Sequence, residues 1–142
     1  MRPSLSLSVL AAGFSVFTVA CATGGQTARS PLSIGQWHLL EINGVATIPT
    51  EIDRRPTLRF SADSARAEGN GGCNSYGGQA TINGSSFKVS RVISTKRACV
   101  DASLNQQESR FLSVLETVDR YAVSRDTLKL YRGPDVALRF VR

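Results

Sequence analysis

Ser103-Leu104-Asn105-Gln106-Gln107-Glu108-Ser109-Arg110-Phe111-Leu112-Ser113-Val114-Leu115-Glu116-Thr117-Val118 is the stretch that decides the fold. Leu104, Phe111, Leu112, Leu115 and Val118 recur at spacings of three, four and seven, so they fall on one face of a helix. Ser103 with Gln106 has the form of a capping box, which predicts a helix start at Ser103. Gln107, Arg110, Ser113 and Thr117 lie away from the centre of the apolar stripe. A helix with one apolar stripe must bury it against something.

The flanking sequence supplies that partner as strands. After the helix come Tyr121-Ala122-Val123, Leu128-Lys129-Leu130-Tyr131 and Val136-Ala137-Leu138-Arg139-Phe140, separated by turns at Arg125-Asp126 and Gly133-Pro134-Asp135. Before it, Gln36-Trp37-His38-Leu39-Leu40-Glu41-Ile42 runs into Asn43-Gly44, a hairpin signal because both turn residues need positive φ. Thr57-Leu58-Arg59-Phe60 alternates, and residues 65–69 form a third strand. A second hairpin is predicted around Asn83-Gly84, between Ala80-Thr81-Ile82 and Ser86-Phe87-Lys88-Val89, with Val92-Ile93-Ser94-Thr95 extended. Residues 69–78, with seven glycines or asparagines around Cys73, read as a loop. The expected class is α+β: an antiparallel, strongly curled β-sheet packed around one amphipathic helix.

The chain has 142 residues, 17 Lys and Arg against 11 Asp and Glu, and 42% apolar residues. These values exclude a multidomain enzyme, a coiled coil and wholesale disorder. Residues 1–20 hold one charged side chain, Arg2, then an apolar run and small residues, which is the layout of a secretory signal. The run ends Thr18-Val19-Ala20-Cys21, similar to a bacterial lipobox, in which the cysteine becomes the acylated new N-terminus. The expected organisation is a lipoprotein signal peptide over 1–20, lipidation at Cys21, a flexible tether over 21–34 and one domain over 35–142. Ala22 after the cysteine resembles outer-membrane sorting, so the expected place is the cell envelope, facing the periplasm. With Cys21 acylated, Cys73 and Cys99 remain, either as a disulfide or as two buried thiols.

Several of these residues also match a family. Trp37 with Leu39, Gly72-Cys73-Asn74 with Tyr76 and Gly78, and Thr95-x-x-Ala98-Cys99 ahead of the helix resemble the META domain, also called HslJ-like. The pattern around Glu108, Phe111 and Leu115 also fits, as do Leu128-x-Leu130 and Leu138-x-Phe140. The sequence departs at Ala80, where the family often has an aromatic residue, and at Arg97, where it often has Met. The resemblance implies a small β-rich domain around a helix, and links to heat stress, drug tolerance and the envelope. It carries no agreed catalytic residues.

Bond-making chemistry finds little support. The glycine-rich segment lacks Gly-Lys-Ser/Thr, so a tight loop is preferred to a phosphate cradle. His38, the single histidine, sits mid-strand with no nucleophile elbow, and is expected to be an exposed strand residue. His38, Cys73 and Cys99 lack metal-ligand spacing, so no metal or cofactor is expected. Asp53, Asp63, Glu68, Asp101 and Glu108 are candidate paired carboxylates, but surface solvation accounts for them. Arg59, Lys129 and Arg139 occupy outward strand positions and suggest a basic face toward anionic lipid. Export removes nucleic acid as a partner. The expectation is a non-enzymatic envelope lipoprotein, held by its lipid and contacting an envelope protein or anionic lipid. The alternatives are an acyl-chain carrier and, behind it, a small hydrolase or thiol redox protein.

Overall fold

The structure, a computed structural model, describes residues 31–142 apart from 34, 49–54, 62, 64 and 98. The expected signal peptide, Cys21, most of the tether, Asp53 and Ala98 lie outside the described residues. A short 3-10 turn, Pro31–Ser33, belongs to the domain and not to a tether, because Leu32 is fully buried and its carbonyl accepts the Trp37 indole N–H at 3.1 Å.

Among the described residues nine strands and one helix follow: β1 Trp37–Ile42, β2 Val45–Ala46, β3 Thr57–Phe60, β4 Arg66–Asn70, β5 Ser75–Asn83, β6 Ser86–Ser94, α1 Ala102–Leu115, β7 Arg120–Ser124, β8 Thr127–Arg132 and β9 Asp135–Val141. Every pairing is antiparallel. The sheet order is β2-β1-β3-β4-β5-β6-β7-β8-β9, and β1 also pairs with β9, which closes the strands into a ring. One edge of β1 serves both β3, through Trp37 and His38, and β2, through Glu41 and Ile42. Its other edge carries β9. The seam between β6 and β7 is thin: Ser86 pairs with Arg120, and Phe87 N–H donates to the Asp119 carbonyl at 3.0 Å. The architecture is therefore α+β, a ring of strands and not a regular barrel.

The turns follow backbone chemistry. Asn43 and Gly44 have φ of 50° and 76°, and Ile42 faces Val45, as the expected hairpin requires. The second hairpin shifts by one residue. Asn83 pairs with Ser86, so the turn is Gly84-Ser85, with Gly84 at φ 58°. The helix start also moves. Asp101, not Ser103, is the N-cap, and its carboxylate accepts the Ser103 N–H at 2.8 Å. An aspartate two residues upstream reaches the free amide directly, which leaves Ser103 inside the first turn.

The core lies inside the ring, and α1 supplies part of it. Phe111 stands edge-to-face with Tyr76 of β5 at 5.5 Å and with Phe140 of β9 at 6.2 Å. One helical ring thus bridges two strands far apart in the sheet order. Leu39, Leu58, Phe87, Leu115, Leu128 and Leu138 are buried around it.

Candidate functional site

The glycine-rich segment expected as one loop is mostly strand. Only residues 71–74 leave the sheet, and β5 begins at Ser75. Glycine is used here for close approach: a Cβ on Gly69 would lie 2.2 Å from the Thr57 carbonyl oxygen, and one on Gly71 would lie 2.7 Å from the Glu108 carboxylate. The short loop is folded around that carboxylate. Glu108 Oε2 accepts the N–H of Cys73 at 2.9 Å and of Asn74 at 2.7 Å, and Oε1 accepts the Asn74 side-chain amide at 2.6 Å. Glu108 is 6% exposed, so the expectation of a solvated surface carboxylate is overturned. Its position is the centre of the helical stripe, four residues after Leu104 and three before Phe111. That spacing was a readable signal, because a charged residue there must be buried with partners.

Asn74 completes the network. Its Nδ2 also donates to the Arg97 carbonyl at 3.2 Å, while Oδ1 accepts Thr95 Oγ1 at 3.0 Å and the Arg97 N–H at 2.7 Å. Two donors and two acceptor positions are filled, which is the full capacity of an amide side chain. Two backbone N–H groups side by side would form an anion-binding concavity, but here the chain's own carboxylate occupies it. Cys73 and Cys99 are joined as a disulfide with Cα atoms 5.8 Å apart, tying the same loop to the segment ahead of α1. Below the loop, Tyr76 donates its hydroxyl to the Thr57 carbonyl at 2.7 Å, and burial pushes its phenol far above the ordinary range.

Of the residues singled out by sequence, Cys73, Asn74, Thr95 and Cys99 meet around Glu108, with Tyr76 beneath them, while Gly72 turns the loop at φ 124° and donates its N–H to Asn70 Oδ1 at 2.7 Å. Trp37 stands apart, under the Arg142 guanidinium at 4.8 Å. Gly78 faces the core against Val89. His38 is half-buried, not exposed, and its Nδ1 is shielded without a hydrogen-bond partner. Asp63 and Asp101 cap local turns, through Ser61 and Ala65 and through Ser103. No group of three potential metal ligands occurs among the described residues. The expected basic face is largely neutralised: Arg59 pairs with Glu68 at 3.3 Å, and Arg139 makes a two-pronged pair with Glu41 across the ring-closing seam.

Several grooves mark the surface of the described residues. One, about 330 Å³, runs over Gly77 between Arg66, Glu68 and Ile93. Another, about 230 Å³, lies between α1 and the β1–β2 hairpin, lined by Val45, Ile48, Gln107 and Arg110. No helix among the described residues is long and apolar enough to cross a membrane.

A family model described as the META domain matches residues 30–142. The chain belongs to the META domain family. Among solved structures, this META domain is similar to a protein from Burkholderia xenovorans determined by NMR, at 25% identity and a TM-score of 0.62, over 78% of this chain and 83% of that one. It is also similar to a DUF4847 family protein from Bacteroides vulgatus ATCC 8482, at 16% identity and a TM-score of 0.55, over 78% and 94%. A further NMR structure shares 17% identity with a TM-score of 0.60, over 78% and 90%. The last two likenesses concern the fold alone. Comparison with curated proteins gives no match.

Proposed function

We propose that the chain is a non-enzymatic envelope lipoprotein, anchored by acyl chains on Cys21, whose META domain is a binding or structural module linked to envelope stress and drug tolerance. One observation carries the non-enzymatic part: the network most suited to chemistry is filled from within. The buried Glu108 carboxylate and the Asn74 amide satisfy each other, the loop and the segment at Thr95 and Arg97. A carboxylate committed to three donors inside a bridged loop is a poor general base or nucleophile, because reaching a substrate would leave those donors unmet. The ring interior is occupied by Phe111 between Tyr76 and Phe140, which favours ligands met on the outside over one carried in an enclosed cavity.

The test is the mass of the N-terminus of protein purified from membranes, combined with a pull-down from envelope extracts before and after heat or antibiotic stress. An acylated Cys21 and an envelope partner are expected. A soluble cytosolic species with an unmodified start would end the lipoprotein reading.

A further inference from the structure

On the outer face of β4, β5 and β6, the strand β6 contains a bulge. Gln79 faces Ser90 and Gly77 faces Ile93, so Arg91 and Val92 together oppose the single residue Gly78. Arg91 holds φ at 54°, a left-handed conformation that costs a side-chain-bearing residue about 1–2 kcal/mol relative to the right-handed one. A bulge redirects a side chain, and here Arg91 lines a hollow of about 460 Å³ together with Arg66, Gln79 and Asp63. Arg66 also borders the neighbouring groove of about 330 Å³, where a Cβ on Gly77 would lie 3.3 Å from its guanidinium. The missing side chain at Gly77 is thus what leaves room beside Arg66.

Arg59, Arg139 and Arg142 each pair with a carboxylate, whereas Arg66 and Arg91 make no ion pair among the described residues. The hollow holds two arginines and one aspartate, so it carries one net positive charge. Asp63 remains ionised, because the Ser61 hydroxyl and the Ala65 N–H both donate to it and hold its carboxyl below the usual range. Past Arg66 the groove runs along Gly77 to Ile93, a large hydrophobic residue that is 72% exposed, and the one acid on its lining, Glu68, is paired with Arg59.

We infer that this trough binds a single-chain amphiphile whose head carries one negative charge, with the head between Arg66 and Arg91 and the chain along Gly77 and Ile93. Guanidinium forks match the paired oxygens of a carboxylate or a phosphodiester, and an exposed isoleucine beside them gives the chain an apolar track. The inference deepens the binding-module reading, yet its chemistry does not depend on where the protein resides.

The test titrates the delipidated full chain by calorimetry, below micelle-forming concentrations, with lauroyl lysophosphatidylglycerol, dodecanoate, dodecyl maltoside and inorganic phosphate. Both anionic amphiphiles are expected to bind, the tighter one naming the head, with the neutral maltoside and bare phosphate weaker by about tenfold or more. Arg66→Gln and Arg91→Gly should each weaken the anionic ligands by about tenfold. Arg91→Gly also guards against misfolding, because glycine accepts that backbone conformation freely. Equal affinity for the maltoside, or binding unchanged in both variants, would overturn the inference. Either result would leave the mass of the N-terminus, and so the lipoprotein reading, untouched.

Discussion

At Glu108 a single carboxylate holds a loop, a side-chain amide and, through that amide, a second segment. Glu108→Gln keeps the shape and one acceptor oxygen, but its new amide N–H group meets the Asn74 amide donor to donor. The expected loss is about 2–3 kcal/mol in urea unfolding, the scale for a buried charged hydrogen bond replaced by an unmet donor. A loss below about 0.5 kcal/mol would show that the clamp adds nothing. Tyr76 gives a pH signature from the opposite direction. Its buried phenol titrates above the unfolded value, which is near 10. Below that value both states hold the proton and stability is level. Above it the unfolded state releases the proton first, so stability falls as pH rises. Tyr76→Phe should flatten the fall above about pH 10, at a constant loss of about 1 kcal/mol for the bond to Thr57. A slope unchanged in the variant would assign the alkaline loss elsewhere.

Among the elements, α1 and the β5–β6 pair separate what sequence pattern reveals from what it hides. The stripe of α1 was legible because apolar spacing reflects the buried face directly. Its cap was not, since Asp101 and Ser103 are both good capping types and only geometry chooses between them. Asp101→Ala is therefore expected to lower the denaturation midpoint more than Ser103→Ala, whose hydroxyl merely donates to Asp101. The Ser103 hydroxyl and backbone hold the Asp101 carboxyl below its usual range. Its contribution is present above the unfolded value near 4 and is lost as pH falls through the lower folded value, so the two variants should converge in acid. Equal midpoints at neutral pH would return the cap to Ser103. Gly77 and Gly78 hid a strand, because glycine marks close approach as well as turns. A Cβ on Gly78 would sit 2.9 Å from Val89 Cγ1 and 3.1 Å from the Ser90 carbonyl oxygen, both held in the core and sheet. Gly78→Ala should cost about 1–3 kcal/mol, whereas Gly77→Ala, whose tightest neighbour is the movable end of Arg66 at 3.3 Å, should cost much less. Similar small effects at both positions would favour a loop.

Over the whole molecule, the strands were legible one by one, but the closure of the ring was not. Glu41 and Arg139 meet across the β1–β9 seam from 98 residues apart, and no local pattern encodes such a pairing. The Cys73–Cys99 bridge, 26 residues in separation, joins the loop before β5 to the segment ahead of α1, which Asn74 already ties together through Thr95 and Arg97. Cross-linking a loop of that length stabilises chiefly by restricting the unfolded chain, by about 3.5 kcal/mol. Reduction should therefore lower unfolding stability by that amount while the circular dichroism of the folded state stays native, because the amide clamp still seats the segment ahead of α1. Asn74→Ala in the oxidised protein should likewise lose stability and keep its fold, since the bridge then does the seating. The two changes together should exceed their sum, because either tie alone suffices to place Thr95 and Arg97, and neither remains. A double-mutant cycle combining Asn74→Ala with Cys73→Ala/Cys99→Ala measures this, with a coupling of about 1 kcal/mol or more expected. Strict additivity would mean that the bridge and the clamp hold separate parts of the molecule.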